Sequence, residues 1–125
     1  MTEILRSEDC GNSPKNLLVQ ELSIALATRD LPLLLDNCAD DVTWEILGRG
    51  RGDSQSDLTV LLDDRPEPAR LAIHHVVTHG KAGAVDGTAE FANGAKQHFC
   101  DIYEFTGASG KSIQAITSYV IEDGP

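Results

Sequence analysis

The stretch LAIHHVVTHGKAGAVDGTAEFANGAKQHFCDIYEF (71–105) decides the fold. It breaks into three runs, 71–80, 82–91 and 96–105, each rich in strand-forming residues and each bounded by turn residues. Gly80 and Lys81 separate the first two, and Asn93-Gly94, the strongest short hairpin signal in the chain, lies between the second and third. Connections this short leave no room for a crossover helix, so successive strands must run antiparallel. SIQAITSYVIE (112–122), reached through the turn TGASGK, adds a fourth strand.

Upstream of this meander the period changes. Ser13 followed by Pro14 reads as a helix cap and first turn. Apolar residues at Leu18, Leu22, Ala25 and Leu26 then predict an amphipathic helix over about 14–28. Asp30 caps a second, short helix that carries Leu31, Leu34 and Leu35 and ends near Asn37. Val42 to Leu47 reads as a strand. Gly48, Gly50 and Gly52 form a turn or bulge, and Asp53 or Ser54 caps a third helix that Pro66 and Pro68 terminate. Residues 1–13 read as a loose, flexible N-terminal tail, and 14–125 as one domain. Helices followed by an antiparallel meander specify the α+β class.

The 125 residues suit a single core, with 41% apolar and 24% charged residues excluding wholesale disorder. The net charge of −10 repels phosphate backbones and anionic lipid, so neither nucleic acid nor a membrane surface is expected as a partner. The first residues, MTEILRSEDCGNSPKN, carry no basic start followed by an apolar stretch, and a cytoplasmic location is the expectation. Cys10, Cys38 and Cys100 are odd in number and far apart in sequence, which argues against a disulfide framework or zinc ribbon.

The order of elements resembles the nuclear transport factor 2-like superfamily, which includes ketosteroid isomerases and SnoaL-like polyketide cyclases. RDLPLLL (29–35) leading into ADDVTWE (39–45), the glycine turn GRGRG (48–52) before a capped helix, and CDIYEF (100–105) ahead of a Gly/Ser turn with Lys111 and a closing strand carry the likeness over about residues 14–122. The resemblance implies a curved sheet wrapped into a cone around the long helix, a mostly apolar pocket between them, and a homodimer through the outer sheet face. It implies no cofactor. It also puts Ile46 where the isomerases place their base and Leu22 near their helix-1 tyrosine, leaving only Asp101 in common. Isoleucine cannot accept a proton, so ketosteroid isomerase chemistry is not expected. The epoxide hydrolases of the superfamily have an arginine two residues before the late-strand aspartate, where this chain has Phe99.

Alternation along a strand puts Phe99, Asp101, Tyr103 and Phe105 on one face. With Asp101 inward, that set lines the cone. On the last strand Ala115, Thr117 and Tyr119 are assigned inward, and Ile116, Ser118 and Val120 outward. Trp44 points inward with Ile46. Asp101 is therefore the first candidate for catalysis or ligand anchoring, since a carboxyl among aromatic neighbours loses hydration and its pKa rises. Trp44, Phe99, Tyr103, Thr117 and Tyr119 are the candidate ligand-binding residues, and His79 a candidate general base.

No metal site is assigned. His75 and His79 are four apart, but on a strand that is about 13 Å, too far for one ion, and His74 faces away from them, which leaves one histidine with His98 of a neighbouring strand as the alternative. GRGRG lacks the Lys-Ser/Thr ending of a phosphate loop. Two functions remain open at this point. One is a pocket for a small apolar, oxygenated molecule with acid–base chemistry, and the other a non-catalytic dimerising module whose cone is filled by its own side chains.

Overall fold

The computed structural model describes residues 1–107 and 112–123. Strands β1 (Glu3–Leu5), β2 (Cys38–Ile46), β3 (Gly50–Gly52), β4 (Arg70–His79), β5 (Ala82–Glu90), β6 (Lys96–Phe105) and β7 (Ile113–Asp123) form one sheet in the order β1-β4-β5-β6-β7-β2-β3. Helices α1 (Pro14–Thr28), α2 (Leu31–Asn37) and α3 (Gln55–Asp63) pack on its inner face. The β4–β7 meander is antiparallel throughout, while β1 pairs with β4 and β2 with β7 in parallel. The protein is α+β, as the sequence predicts. Residues 108–111 of the expected last turn, Lys111 among them, lie outside the described residues.

The helix boundaries follow their caps. Ser13 Oγ accepts from Asn16 N at 3.2 Å ahead of Pro14. The helix stops at Arg29, whose left-handed φ of 63° halts the helical path. Asp30 caps α2 through Leu33 N. Ser54 caps α3 through Asp57 N, and Asp57 reaches back to Asp53 N at 3.0 Å, a reciprocal pair that satisfies two orphan donors.

The structure differs from the tail reading of 1–13. Glu3–Leu5 adds a parallel strand at the edge of β4, Ser7 N donates to the Gln20 side chain, Asp9 accepts from Val76 N, and Cys10 is buried. Three residues are too few to show a period, and their partner lies more than sixty positions away, so no local pattern announces them. The glycine stretch likewise contains a strand, since Gly50–Gly52 pairs with Trp44–Ile46 across a turn at Gly48.

Small residues occupy the inner face of β5. Gly83, Gly87 and Ala89 are buried there, Gly83 against Val19 of α1, and a Cβ on Gly87 would sit 2.3 Å from Ala72 O and 2.7 Å from the Phe99 ring. Gly87→Ala should therefore cost at least about 1–3 kcal/mol by overpacking, since one obstacle is backbone. Urea denaturation checks this, and an unchanged midpoint would show that both the Ala72 backbone and Phe99 give way freely.

Candidate functional site

The meander register decides which residues meet. Asp101 on β6 stands opposite Ser118 on β7, and Tyr103 opposite Ile116. Directly opposed residues share a face. Because Asp101 and Tyr103 are buried, so are Ser118 and Ile116, at 0% and 1% exposure. The inward assignment of Ala115, Thr117 and Tyr119 is therefore reversed. Thr117 is half-buried on the outer face and Tyr119 is 47% exposed there. Parity within one strand fixes alternation but not its phase, which only the pairing partner supplies.

A β-bulge between Ile73 and His75 shifts the phase of β4 as well. His74 and His75 are both exposed, and beyond the bulge Val76 points inward while Val77 and His79 do not. His79 thus lies outside the cone. His75 Nδ1 meets Asp86 at 2.9 Å on the outer face. Among the described residues no cluster of three metal-ligating side chains occurs.

Asp101 terminates a buried hydrogen-bond chain. The Trp44 indole N–H donates to Ser118 Oγ at 3.0 Å, and the Ser118 hydroxyl donates to Asp101 Oδ1 at 2.6 Å. The direction is forced, because an indole nitrogen can only donate. From α1, Ser23 Oγ lies 2.7 Å from Tyr103 Oη and also holds the Asp101 pKa down. The carboxyl is thus hydrogen-bonded by Ser118, itself backed by the Trp44 ring, with the Ser23–Tyr103 pair beside it. Burial outweighs this support and the charge of Arg65, and raises the Asp101 pKa above the usual 3.8. Burial also keeps the Tyr103 phenol protonated well above its ordinary range.

The linkage sign follows. A carboxyl whose folded pKa is raised destabilises the fold above that pKa and ceases to do so below its unfolded value. The stability difference between wild type and Asp101→Asn should therefore shift in favour of wild type as the pH falls from neutrality toward about 4. Chemical denaturation at a series of pH values reads this. A flat difference would mean that folding leaves the carboxyl's pKa unchanged, and a shift the opposite way that the carboxyl is stabilised as the anion.

In front of this network is a cavity of about 140 Å³. Its walls include Ser23 and Ala27 of α1, Ile46 of β2, Leu61 of α3, Phe99 and Asp101 of β6, and Val120 of β7. Pro66, Pro68 and Phe91 contribute to its edge, with Arg49 and Gln97, whose side chains both reach Glu122. Of the residues proposed from sequence, only Asp101 and Phe99 line it. Trp44 and Tyr103, both fully buried, form the layer behind Asp101.

Arg65 is a charged wall residue that the sequence reading missed. It follows α3 as a lone cation between Asp64 and Pro66, a position without periodic signal. Its Nη1 donates to Leu26 O at 3.0 Å, and its guanidinium lies 5.5 Å from the centre of the Trp44 ring. Its charge is felt by Asp101, yet among the described residues no carboxylate comes within ion-pair distance of it.

Three helices packed on a seven-stranded mixed sheet recur in solved structures. An NTF2-like protein of unknown function from Cytophaga hutchinsonii superposes with a TM-score of 0.67 at 20% identity, over 86% of this chain and 99% of that one. The chain has the NTF2-like fold. A putative ketosteroid isomerase from Kribbella flavida shares the NTF2-like fold with a TM-score of 0.71 at 15% identity, over 89% and 80% of the two chains. An epoxide hydrolase of the LEH-like type from M. tuberculosis does so at 0.63 and 18%, over 86% and 82%. No family model matches the sequence, and no curated protein matches it either. Neighbours with such different chemistries, at such identities, establish the NTF2-like fold and leave the function to the side chains.

Proposed function

We propose that the protein binds a small, largely apolar molecule through an oxygen function, and that Asp101 is both its polar anchor and the group that exchanges a proton with it. The observation that carries this reading is a carboxyl that is 2% exposed, hydrogen-bonded by Ser118, raised in pKa and still part of a cavity wall. A carboxyl whose pKa is raised by burial is suited to general acid–base work. The structural neighbours described as an isomerase and an epoxide hydrolase are consistent with a ligand-binding cone.

Size limits the ligand. Pockets for drug-sized molecules hold about 300 Å³ or more, whereas a cavity of about 150 Å³ takes one benzene. At about 140 Å³ this site suits a single ring with a short substituent. The alternative reading, a filled cone without a ligand, draws on the same number and on the space taken by Trp44 and Tyr103. In either reading the outer sheet face, with Val77, Ile102 and Tyr119 exposed, is the surface where a homodimer would form.

A thermal-shift screen of wild type and Asp101→Asn against single-ring ketones, cyclic ethers, phenols and aromatic acids tests the proposal. Ligands bound to the folded state raise the Tm by mass action. We expect hits for wild type that the folded Asn variant loses. An absence of hits for wild type throughout the panel would favour the filled cone.

A further inference from the structure

A wall cation with no ion-paired carboxylate among the described residues, Arg65, narrows the ligand class. Arg65 carries five N–H donors in a planar fork, of which only Nη1 has a protein acceptor among the described residues. No buried side-chain nitrogen or oxygen among those residues lacks a partner, so its remaining donors are not sealed in the core. They belong to a side chain that lines the cavity. A half-buried guanidinium with no carboxylate at ion-pair distance is costly, because its hydration is reduced and the more distant charge of Asp101 offsets this only in part. The desolvation is large enough to lower the pKa even of this arginine.

We propose that the cavity takes a small carboxylic acid, with the carboxylate on the free donors of Arg65 and the apolar body against Phe99, Leu61 and Val120. This rests on the reading of the cavity as a ligand site and specifies what it takes. The guanidinium fork matches a carboxylate with two parallel hydrogen bonds. Asp101 lies in the same wall and burial raises its pKa, so a ligand anion there meets a carboxyl that can donate a hydrogen bond when protonated. The overall charge of −10 does not decide the matter. Exposed charges are screened within about 8–10 Å in physiological salt, whereas Arg65 meets the ligand directly. Arg49, also at the wall, is already bonded to Glu122, and Asp64 on the rim is exposed to water.

The single tryptophan is a built-in reporter, since Trp44 lies under the Arg65 guanidinium. Titrating the protein with benzoate while following Trp44 emission should give saturable binding. Benzamide, which has the same shape without the charge, should bind about tenfold more weakly or worse, as loss of one charged hydrogen bond predicts. Arg65→Gln should remove the preference for benzoate, and Arg65→Lys should keep part of it. Should Arg65→Gln fail to fold, the benzoate-to-benzamide ratio on wild type still decides. Equal affinities for the two would overturn the carboxylate assignment while leaving the pocket reading standing, as would binding of neutral ketones alone. If neither these compounds nor the neutral panel bind, both readings fall together.

Discussion

Ile116→Asp should abolish cooperative folding. Ile116 is 1% exposed and is flanked by Trp44 on β2 and Tyr103 on β6, both fully buried. Removing a large aliphatic side chain from such a place costs about 2–5 kcal/mol. Inserting an unpaired carboxylate adds several kcal/mol more, or forces it to stay protonated. Against a total stability of about 5–15 kcal/mol for a domain of this kind, the sum leaves little or no native state. Circular dichroism and urea titration would show it, and a variant that kept the wild-type midpoint would contradict the β6–β7 register. Thr117→Asp, one residue along and half-buried on the outer face, is the control. It should leave the fold intact. If wild type is a dimer through that face, light scattering of Thr117→Asp should show a lower mass without loss of structure.

The pair of variants isolates what could be read from sequence. Where a local pattern carries its own anchor, the reading holds: Ser13-Pro14 fixes the start of α1, and Asn93-Gly94 lies in the five-residue connection between β5 and β6. The inward face of β6 was legible because a single polar residue, Asp101, supplied the phase for Phe99, Tyr103 and Phe105. Nothing on β7 supplied one, as Ala, Ile, Thr, Ser, Tyr and Val tolerate either face. The phase came from pairing with β6, a long-range fact. The bulge in β4 altered the phase of His79 for the same reason, and β1 was invisible because its hydrogen-bond partner is distant. Arg65 illustrates a different limit. A lone arginine after a helix reads as solvated surface, and only its closeness to Leu26 O and the Trp44 ring makes it a wall of the site. Ser118, which holds Asp101, was assigned to the outer face because a serine becomes informative only with its partner in view.

Trp44→Ala should be the most damaging truncation that still leaves a folded protein. The side chain is wholly buried, and three things end with it: the packing of the indole, its hydrogen bond to Ser118, and the contact of its ring with Arg65. Large aromatic-to-alanine changes in a core cost about 3–5 kcal/mol, and for a domain of this size each kcal/mol lowers the Tm by a few degrees, so a fall of about 10–20 °C is expected. Trp44→Phe separates the contributions, since it keeps most of the ring and loses the N–H. Ser118 can then reorient, and the expected cost is smaller, about 1–2 kcal/mol. If Phe proves as damaging as Ala, the hydrogen-bond chain to Asp101 dominates over packing. Adding indole to Trp44→Ala supplies the missing ring as a ligand. A rise in Tm with indole concentration would show that the inner cone holds its shape when emptied, which is what a binding site requires of its walls. No rise would mean that the cone collapses around the gap, and that Trp44 props the cavity open from behind Asp101.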